Sequence, residues 1–334
     1  MISCLRSAGV RVVERHEPVW DKTEHKFSVR AGPALRLAAA ELRLLRRPRE
    51  DFDVVIVGYP GHFDLRAARR AARGRPVVFN PLVSLSDTFV GDRGLVRPGS
   101  LSARALTEID RRAFSASDLV VADTEANAEF LARLADLPLQ RVAVCLVGAE
   151  ERFFRPPWDP SGPVLFVGKL IPLHGLETIL AAAELAPEVS LRIVGSGQLE
   201  RLLGDRPANV EWVPWIPYER LAVELRSAAA ALGIFGSSPK AARVIPNKVF
   251  QALACGTPVI TADTPAAREL LVDGRDALLV PPGNPEALAD ALRRLTADTA
   301  LARRIGAAGL ATYHERSSEE VLGERWRALI EALL

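Results

Sequence analysis

Short apolar runs alternate with helical stretches along almost the whole of this chain, and no other feature restricts its fold so strongly. In the first half the runs are "VRVVERH" (10–16), "DVVIVG" (53–58), "PVVFN" (76–80), "DLVVAD" (118–123) and "RVAVCLV" (141–147). Helical periodicity fills 33–47, 64–73, 101–115 and 125–135 between them. A second series runs through "PVLFVG" (163–168), "VSLRIVG" (189–195), "VEWVPW" (210–215), "AALGIF" (230–235), "PVITA" (258–262) and "ALLVP" (277–281). Near-continuous aliphatic runs separated by helices are what parallel sheets covered on both faces require. The prediction is an α/β chain built on doubly wound parallel sheets.

Two series imply two cores. A length of 334 residues exceeds what one ordinary core serves, and the proline-rich "RPPWDPSGP" (155–163) reads as a linker. The expected limits are 1–157 for the first domain and 158–315 for the second. Residues 316–334 form a last segment in which "SSEEVLGERWRALIEALL" offers a Ser cap, an acidic first turn and one apolar face, the pattern of a docking helix. The opening "MISCLRSAGVRVVE" reads as the end of a helix followed by a strand. The strand and glycine-rich turn that begin a doubly wound unit are not seen before it, which reads either as a truncated or misassigned start or as a first domain lacking its first strand.

The totals exclude some functions. A net charge of +2 gives no bulk attraction for nucleic acid. No apolar run approaches the roughly 20 residues that cross a bilayer, and no signal-peptide pattern opens the chain. Cys4, Cys145 and Cys255 stand outside any metal-ligand spacing and read as core thiols of a cytoplasmic protein. "ALRLAAAELRLLRRPRE" (34–50) sets leucines opposite arginines, which reads either as an ordinary surface helix or as a face for peripheral membrane contact.

Two strand-to-helix turns carry the candidate chemistry. In "FVGKLIPLHGLETIL" (166–180) a strand stops at Gly168 and a helix restarts near Gly175, so free backbone N–H groups meet Lys169 and His174. Such a helix start is a seat for phosphate, although a solvated lysine and a turn histidine would look the same in sequence. In "VIPNKVFQALACGTPVITAD" (244–263), Pro246 suits a first turn, and Asn247, Lys248 and Gln251 fall within one turn of each other. Lysine is scarce here (Lys22, Lys26, Lys169, Lys240 and Lys248), so its presence in both turns is informative. Together the turns could grip a pyrophosphate from two sides. Two other patterns are weaker. "DFD" (51–53) precedes a strand and reads as a surface turn, and "GSGQLE" (195–200) lacks the third glycine of a dinucleotide fingerprint.

These stretches, with "LRIVGSGQLE", "WVPWIPYERLAVELRSAAAALGIF", "ARELLVDGRDALLVPPGNPEALADAL" and "RRIGAAGLATYHERSSEE", resemble the nucleotide-sugar half of a GT-B glycosyltransferase of the group 1, family 4 type. "VGAEERFFRP" (147–156) is similar to the stretch that ends the first domain in that family. The resemblance implies two Rossmann-like domains facing across a cleft, no metal and no cofactor, and a last helix crossing back to the first domain. By position it implies that Gly168, Lys169, His174 and Gly175 face the diphosphate with Lys248. It sets Gly195 beside them, Trp215 and Ile216 along the base, and Gln251 toward the ribose, with Pro246 and Asn247 opening the second turn. His62, in "VVIVGYPGHFD", is implied to contact the transferred sugar or the acceptor. Asp87 and Asp92, in the loop "NPLVSLSDTFVGDR" (80–93), are candidates for binding a hydroxyl or acting as a base, or are structural carboxylates.

Two departures stand out. A second diphosphate lysine is replaced by His174, and paired glutamates eight residues apart fall on Arg243 and Gln251. The expected function is transfer of a hexose from a nucleoside-diphosphate sugar to a carbohydrate or lipid-linked acceptor, with Lys169, Lys248 and His62 as the catalytic set. It would serve cell-envelope polysaccharide or glycolipid synthesis, with retention of configuration. The alternatives are a nucleotide-sugar epimerase or hydrolase on the same fold, or a nucleotide-sugar-binding protein that has lost catalysis.

Overall fold

The structure, a computed structural model, describes residues 1–17, 39–45 and 51–334. The first lobe is a parallel sheet of β1 (Val55–Val57), β2 (Val77–Phe79), β3 (Leu119–Ala122) and β4 (Val142–Val144), paired in that order. Every residue of β2 and β3 is buried, the consequence of helices on both faces. Helices α2 (Leu65–Ala72), α3 (Leu101–Ser115) and α4 (Glu125–Ala135) cover one face through Leu65, Phe114 and Leu131. Ser100 and Thr124 cap α3 and α4 by accepting from the backbone N–H groups three residues on.

No strand forms over 10–16, contrary to the sequence reading. Val10 and Val12 pack against the first-lobe core, but the segment makes no ladder hydrogen bonds among the described residues. Its arginines reach sideways instead, Arg11 donating to the Asp51 carbonyl at 3.0 Å. Of the helix expected at 33–47, residues 39–44 are helical; the remainder, and most of the leucine–arginine face at 34–50, lie outside the described residues.

The second lobe holds β5 (Val164–Val167), β6 (Leu191–Val194), β7 (Val210–Val213), β8 (Ala231–Leu232), β9 (Val259–Ala262) and β10 (Leu278–Val280), all parallel. The spatial order is β10-β9-β8-β5-β6-β7. Counted from β5, that is the doubly wound dinucleotide-domain order, which reverses direction between β5 and β8. On one side lie α5 (Leu176–Leu185) and α9 (Pro285–Ala297), burying Leu176, Ile179, Leu288 and Leu292. On the other lie α6 (Tyr218–Ser227), α7 (Asn247–Cys255) and α8 (Pro265–Leu270), with Tyr313 of α10 (Thr299–Arg316) in the same core.

The chain then returns to the first lobe. Helix α11 (Glu319–Glu331) lays Leu322, Trp326 and Ile330 against Cys4 and Leu5 of α1 (Ile2–Ser7) and against Val78 and Val121 of the first sheet. Glu151 fixes the crossover, its Oε1 accepting from the Tyr313 hydroxyl at 3.1 Å and the Glu319 N–H at 2.9 Å. The three cysteines are buried free thiols. Among the described residues no helix is long and apolar enough to cross a membrane.

Candidate active site

In an open parallel sheet the crevice beyond the strand C-termini, where the strand order reverses, is where ligands bind. Here that point is the gap between β5 and β8. The loops after β5, β6 and β8 meet there and leave room only for glycine. A Cβ on Gly195 would stand 1.9 Å from the Gly168 carbonyl oxygen, and one on Gly175 would stand 2.6 Å from the Gly236 nitrogen. Gly168 itself adopts φ +148°, which turns the chain out of β5 into a 3₁₀ turn at Pro172–His174.

His174 is buried in this elbow. Its Nδ1 bonds the Lys169 carbonyl, which can only accept, so Nδ1 carries the proton. The ring sits edge-on to Phe166 at 5.6 Å. Burial, then the neighbouring Lys248, push its basicity well below the ordinary imidazole value. The turn therefore holds a neutral imidazole and not the second cation that sequence suggested.

Lys248 enters from the start of α7 and is also buried. Its Nζ lies 3.8 Å over the Phe166 ring and 3.0 Å from where a Gly168 Cβ would stand. It has no hydrogen-bond partner among the described residues, and burial drives its pKa well below the ordinary lysine value. A buried ammonium without a partner is costly, and an anion seated beside Gly168 would relieve it. Gly168, Gly175, Gly195, His174, Lys248 and the Lys169 backbone thus converge.

The other donor candidates spread outward. The Lys169 and Asn247 side chains are exposed, and Pro246 is the N-cap of α7. Gln251 donates to the Tyr218 hydroxyl at 3.4 Å, and Trp215 is exposed beside half-buried Ile216. "DFD" proves a surface turn, with Asp51 paired to Arg75 at 2.7 Å.

The first lobe presents the loop after β2. Asp110, fully buried on α3, gathers it by accepting from the Leu85 and Ser86 N–H groups and the Ser84 and Ser86 hydroxyls at 2.8–2.9 Å. Burial alone would raise this carboxyl, but His62 and these donors outweigh it and hold it below its ordinary value. His62 does not face the cleft as expected. Its ring is enclosed against Phe79 and Phe114, with Nδ1 on the Pro60 carbonyl at 3.0 Å. Its Nε2 is 3.2 Å from Asp110 but misaligned for a hydrogen bond. An imidazole so enclosed supports the loop and offers nothing to a substrate.

The same loop reaches the second lobe. Asp87 pairs with Arg243 at 2.8 Å, and Arg243 stacks 3.9 Å over Phe130. Lys240 donates to the Thr88 hydroxyl at 2.7 Å, and Gln198 to the Arg93 carbonyl at 3.0 Å. Glu269 accepts from the Glu125 and Ala126 N–H groups at the start of α4, at 2.7 and 2.9 Å. Asp87 is therefore committed to a cross-lobe pair. Asp92 is buried, its carboxylate close to the Leu173 N–H but without a well-aligned hydrogen bond among the described residues, and burial raises its pKa despite Lys240, Arg93 and Leu173. Sequence reading missed Arg93, Lys240 and Asp123. Asp123 lies buried at the C-terminal end of β3, bonded by Asn127 at 2.6 Å, and burial pushes it up to about 6. Its place at a strand end was the available signal. A separate apolar cavity of about 1120 Å³ lies in the first lobe, lined in part by Leu5, Val12, Tyr59, Phe63, Leu85 and Phe89. None of the converging second-lobe residues lines it.

Known proteins share this architecture. The family model described as "Glycosyl transferases group 1" matches residues 162–298. The GDP-mannose-dependent alpha-mannosyltransferase of Mycobacterium tuberculosis is 30% identical over 332 residues, covering 93% of this chain and 80% of that protein. A D-inositol 3-phosphate glycosyltransferase of Nocardioides is 29% identical, covering 84% of this chain and 70% of that protein. The Mycobacterium leprae phosphatidyl-myo-inositol mannosyltransferase matches at 34% over a shorter stretch, 44% of this chain and 40% of that protein. Among solved structures, sucrose-phosphate synthase of Thermosynechococcus elongatus superposes with TM-score 0.69 at 20% identity, over 90% of this chain and 78% of that one. HepE of Anabaena, solved with UDP and glucose, does so with TM-score 0.68 at 16% identity, over 89% and 81%. At those identities the likeness establishes a shared GT-B fold, two Rossmann-like lobes facing across a cleft. Sequence and fold agree that this chain belongs to the group 1 glycosyltransferases.

Proposed function

We propose that the chain transfers a hexose from a nucleoside-diphosphate sugar to a hydroxyl acceptor, the diphosphate seated at the β5–β8 crevice. The observation that carries this reading is Lys248, a buried ammonium with no hydrogen-bond partner among the described residues, aimed at a glycine elbow at the sheet's switch point. The anomeric C–O bond breaks with its electron pair moving onto the phosphate oxygen, while the acceptor oxygen bonds to the same carbon. The acceptor proton passes to the departing diphosphate. Charge builds on the leaving group, so a cation and helix N–H groups fixed beside it lower the barrier. Lys248, the start of α5 and exposed Lys169 fill those roles, with Trp215 and Ile216 along the base and Gln251 on the ribose side.

The acceptor belongs to the first lobe. Relatives named for inositol phosphate and for phosphatidyl-myo-inositol favour a polyol or glycolipid headgroup, and an apolar first-lobe cavity suits a lipid-linked acceptor. Retention of configuration and work at the cytoplasmic membrane face, in envelope glycolipid or polysaccharide synthesis, complete the reading. The test is a melting screen of UDP, GDP and their hexose conjugates with EDTA present, followed by transfer assays on inositol phosphate and phosphatidylinositol. Stabilisation by one nucleoside diphosphate and a glycosylated product are expected. No stabilisation by any of them would end the reading.

A further inference from the structure

We propose that Arg93, carried by the first lobe, closes the diphosphate site of the second lobe from across the cleft. The inference deepens the donor reading above and rests on it. The buried part of the elbow presents one lysine and a neutral imidazole, while Lys169 points to solvent. That is little positive charge for a polyanionic leaving group.

Arg93 stands where the missing charge is needed. Its carbonyl is held at 3.0 Å by Gln198, a residue of the glycine loop that braces the elbow. On that loop a Gly197 Cβ would come within 2.9 Å of the Leu170 carbonyl oxygen. Two further cross-lobe bonds, Lys240 to Thr88 and Arg243 to Asp87, fix the preceding turn of the same segment. The Arg93 backbone is thereby pinned to the second lobe although it belongs to the first. Its Nε is buried without a hydrogen-bond partner among the described residues, as is Lys248 Nζ. Both orphaned donors carry charges that reach His174 in the elbow and help depress its basicity, and an anion between the lobes would satisfy both. A planar fork from the opposite lobe also suits a ligand with adjacent phosphates better than another ammonium would.

The experiment is calorimetric titration of the full chain with UDP, GDP, UMP and GMP, for wild type, Arg93→Gln, Arg93→Lys and Lys248→Met. Melting of each nucleotide-free protein monitors folding. Arg93→Gln is expected to weaken the bound nucleoside diphosphate by about tenfold or more. It should cost the matching monophosphate less, and Arg93→Lys should recover part of the loss. Wild-type diphosphate affinity in Arg93→Gln, with binding weakened in Lys248→Met, would overturn the Arg93 assignment and leave the donor reading standing. Failure of wild type to bind either diphosphate would overturn both. If Arg93→Gln does not fold, Arg93→Lys decides: unchanged diphosphate binding there overturns the proposal.

Discussion

Lys248 is the residue on which the donor reading turns, and its environment makes two measurable statements. Truncation to alanine removes the buried cation beside the leaving group while sparing the exposed Lys169. The expected result is a fall in kcat/KM of about tenfold or more, about 1.4 kcal/mol of transition-state stabilisation; wild-type turnover in Lys248→Ala would refute it. The second statement concerns protons. Burial alone depresses this lysine in the free protein, so a fraction of it is neutral at a pH where a solvated lysine is fully charged. A diphosphate alongside raises its pKa again. Binding therefore takes up a proton between the depressed free value and the higher bound one, and affinity falls as pH rises through that window. Calorimetry in buffers of different ionisation enthalpy should show the uptake in wild type and in His174→Gln, and its disappearance in Lys248→Met. Uptake that vanishes with His174 instead would mean that the imidazole, already depressed by burial and by Lys248, was the group responding.

The elbow between β5 and α5 is a backbone device before it is a chemical one. Gly195 at φ +149° lies against the Gly168 carbonyl, and a methyl group there has nowhere to go. Gly195→Ala should cost about 2 kcal/mol or more in urea unfolding and weaken nucleotide binding as well, because the loop after β6 sets the position of Gly168. Unchanged stability would mean that the two loops do not press on each other in solution. At this scale the sequence was largely legible. Aliphatic runs bounded by Gly, Pro and Asp located all ten strands found among the described residues, since a strand buried on both faces must be continuously apolar. The same habit misled at 10–16, where "VRVV" has the composition of a strand but pairs with no strand among the described residues. It also failed for His62, because a histidine after a strand looks the same in sequence whether its ring faces a cleft or sits beside Asp110 under Phe79 and Phe114. The cross-lobe bonds were invisible in principle: Lys240 and Thr88 stand 152 positions apart, and no local pattern encodes such a pairing.

The lobes of the whole molecule are joined by more than the returning helix α11. Asp87–Arg243, Thr88–Lys240, Arg93–Gln198 and the Glu269 cap on α4 also run from one lobe to the other. The Asp87–Arg243 pair is largely shielded from solvent, with side-chain exposures of 13% and 15%, so removing one partner strands the other charge. Neutralising both, in Asp87→Asn with Arg243→Gln, is the cleaner perturbation. If the pair latches the lobes, the double variant should show a larger radius of gyration by solution scattering. Its donor KM should rise by about threefold or more, because the binding-competent closed form becomes a smaller fraction of the population. Exchanging the charges, Asp87→Arg with Arg243→Asp, should restore part of both values if the pairing itself is what matters. Arg243 also stacks on Phe130, however, and an aspartate cannot reproduce that contact, so recovery should be incomplete. An unchanged radius and KM in the neutral double variant would instead assign lobe closure to Glu269 and the crossover at Glu151, with the Asp87–Arg243 pair serving only to anchor the loop that carries Arg93.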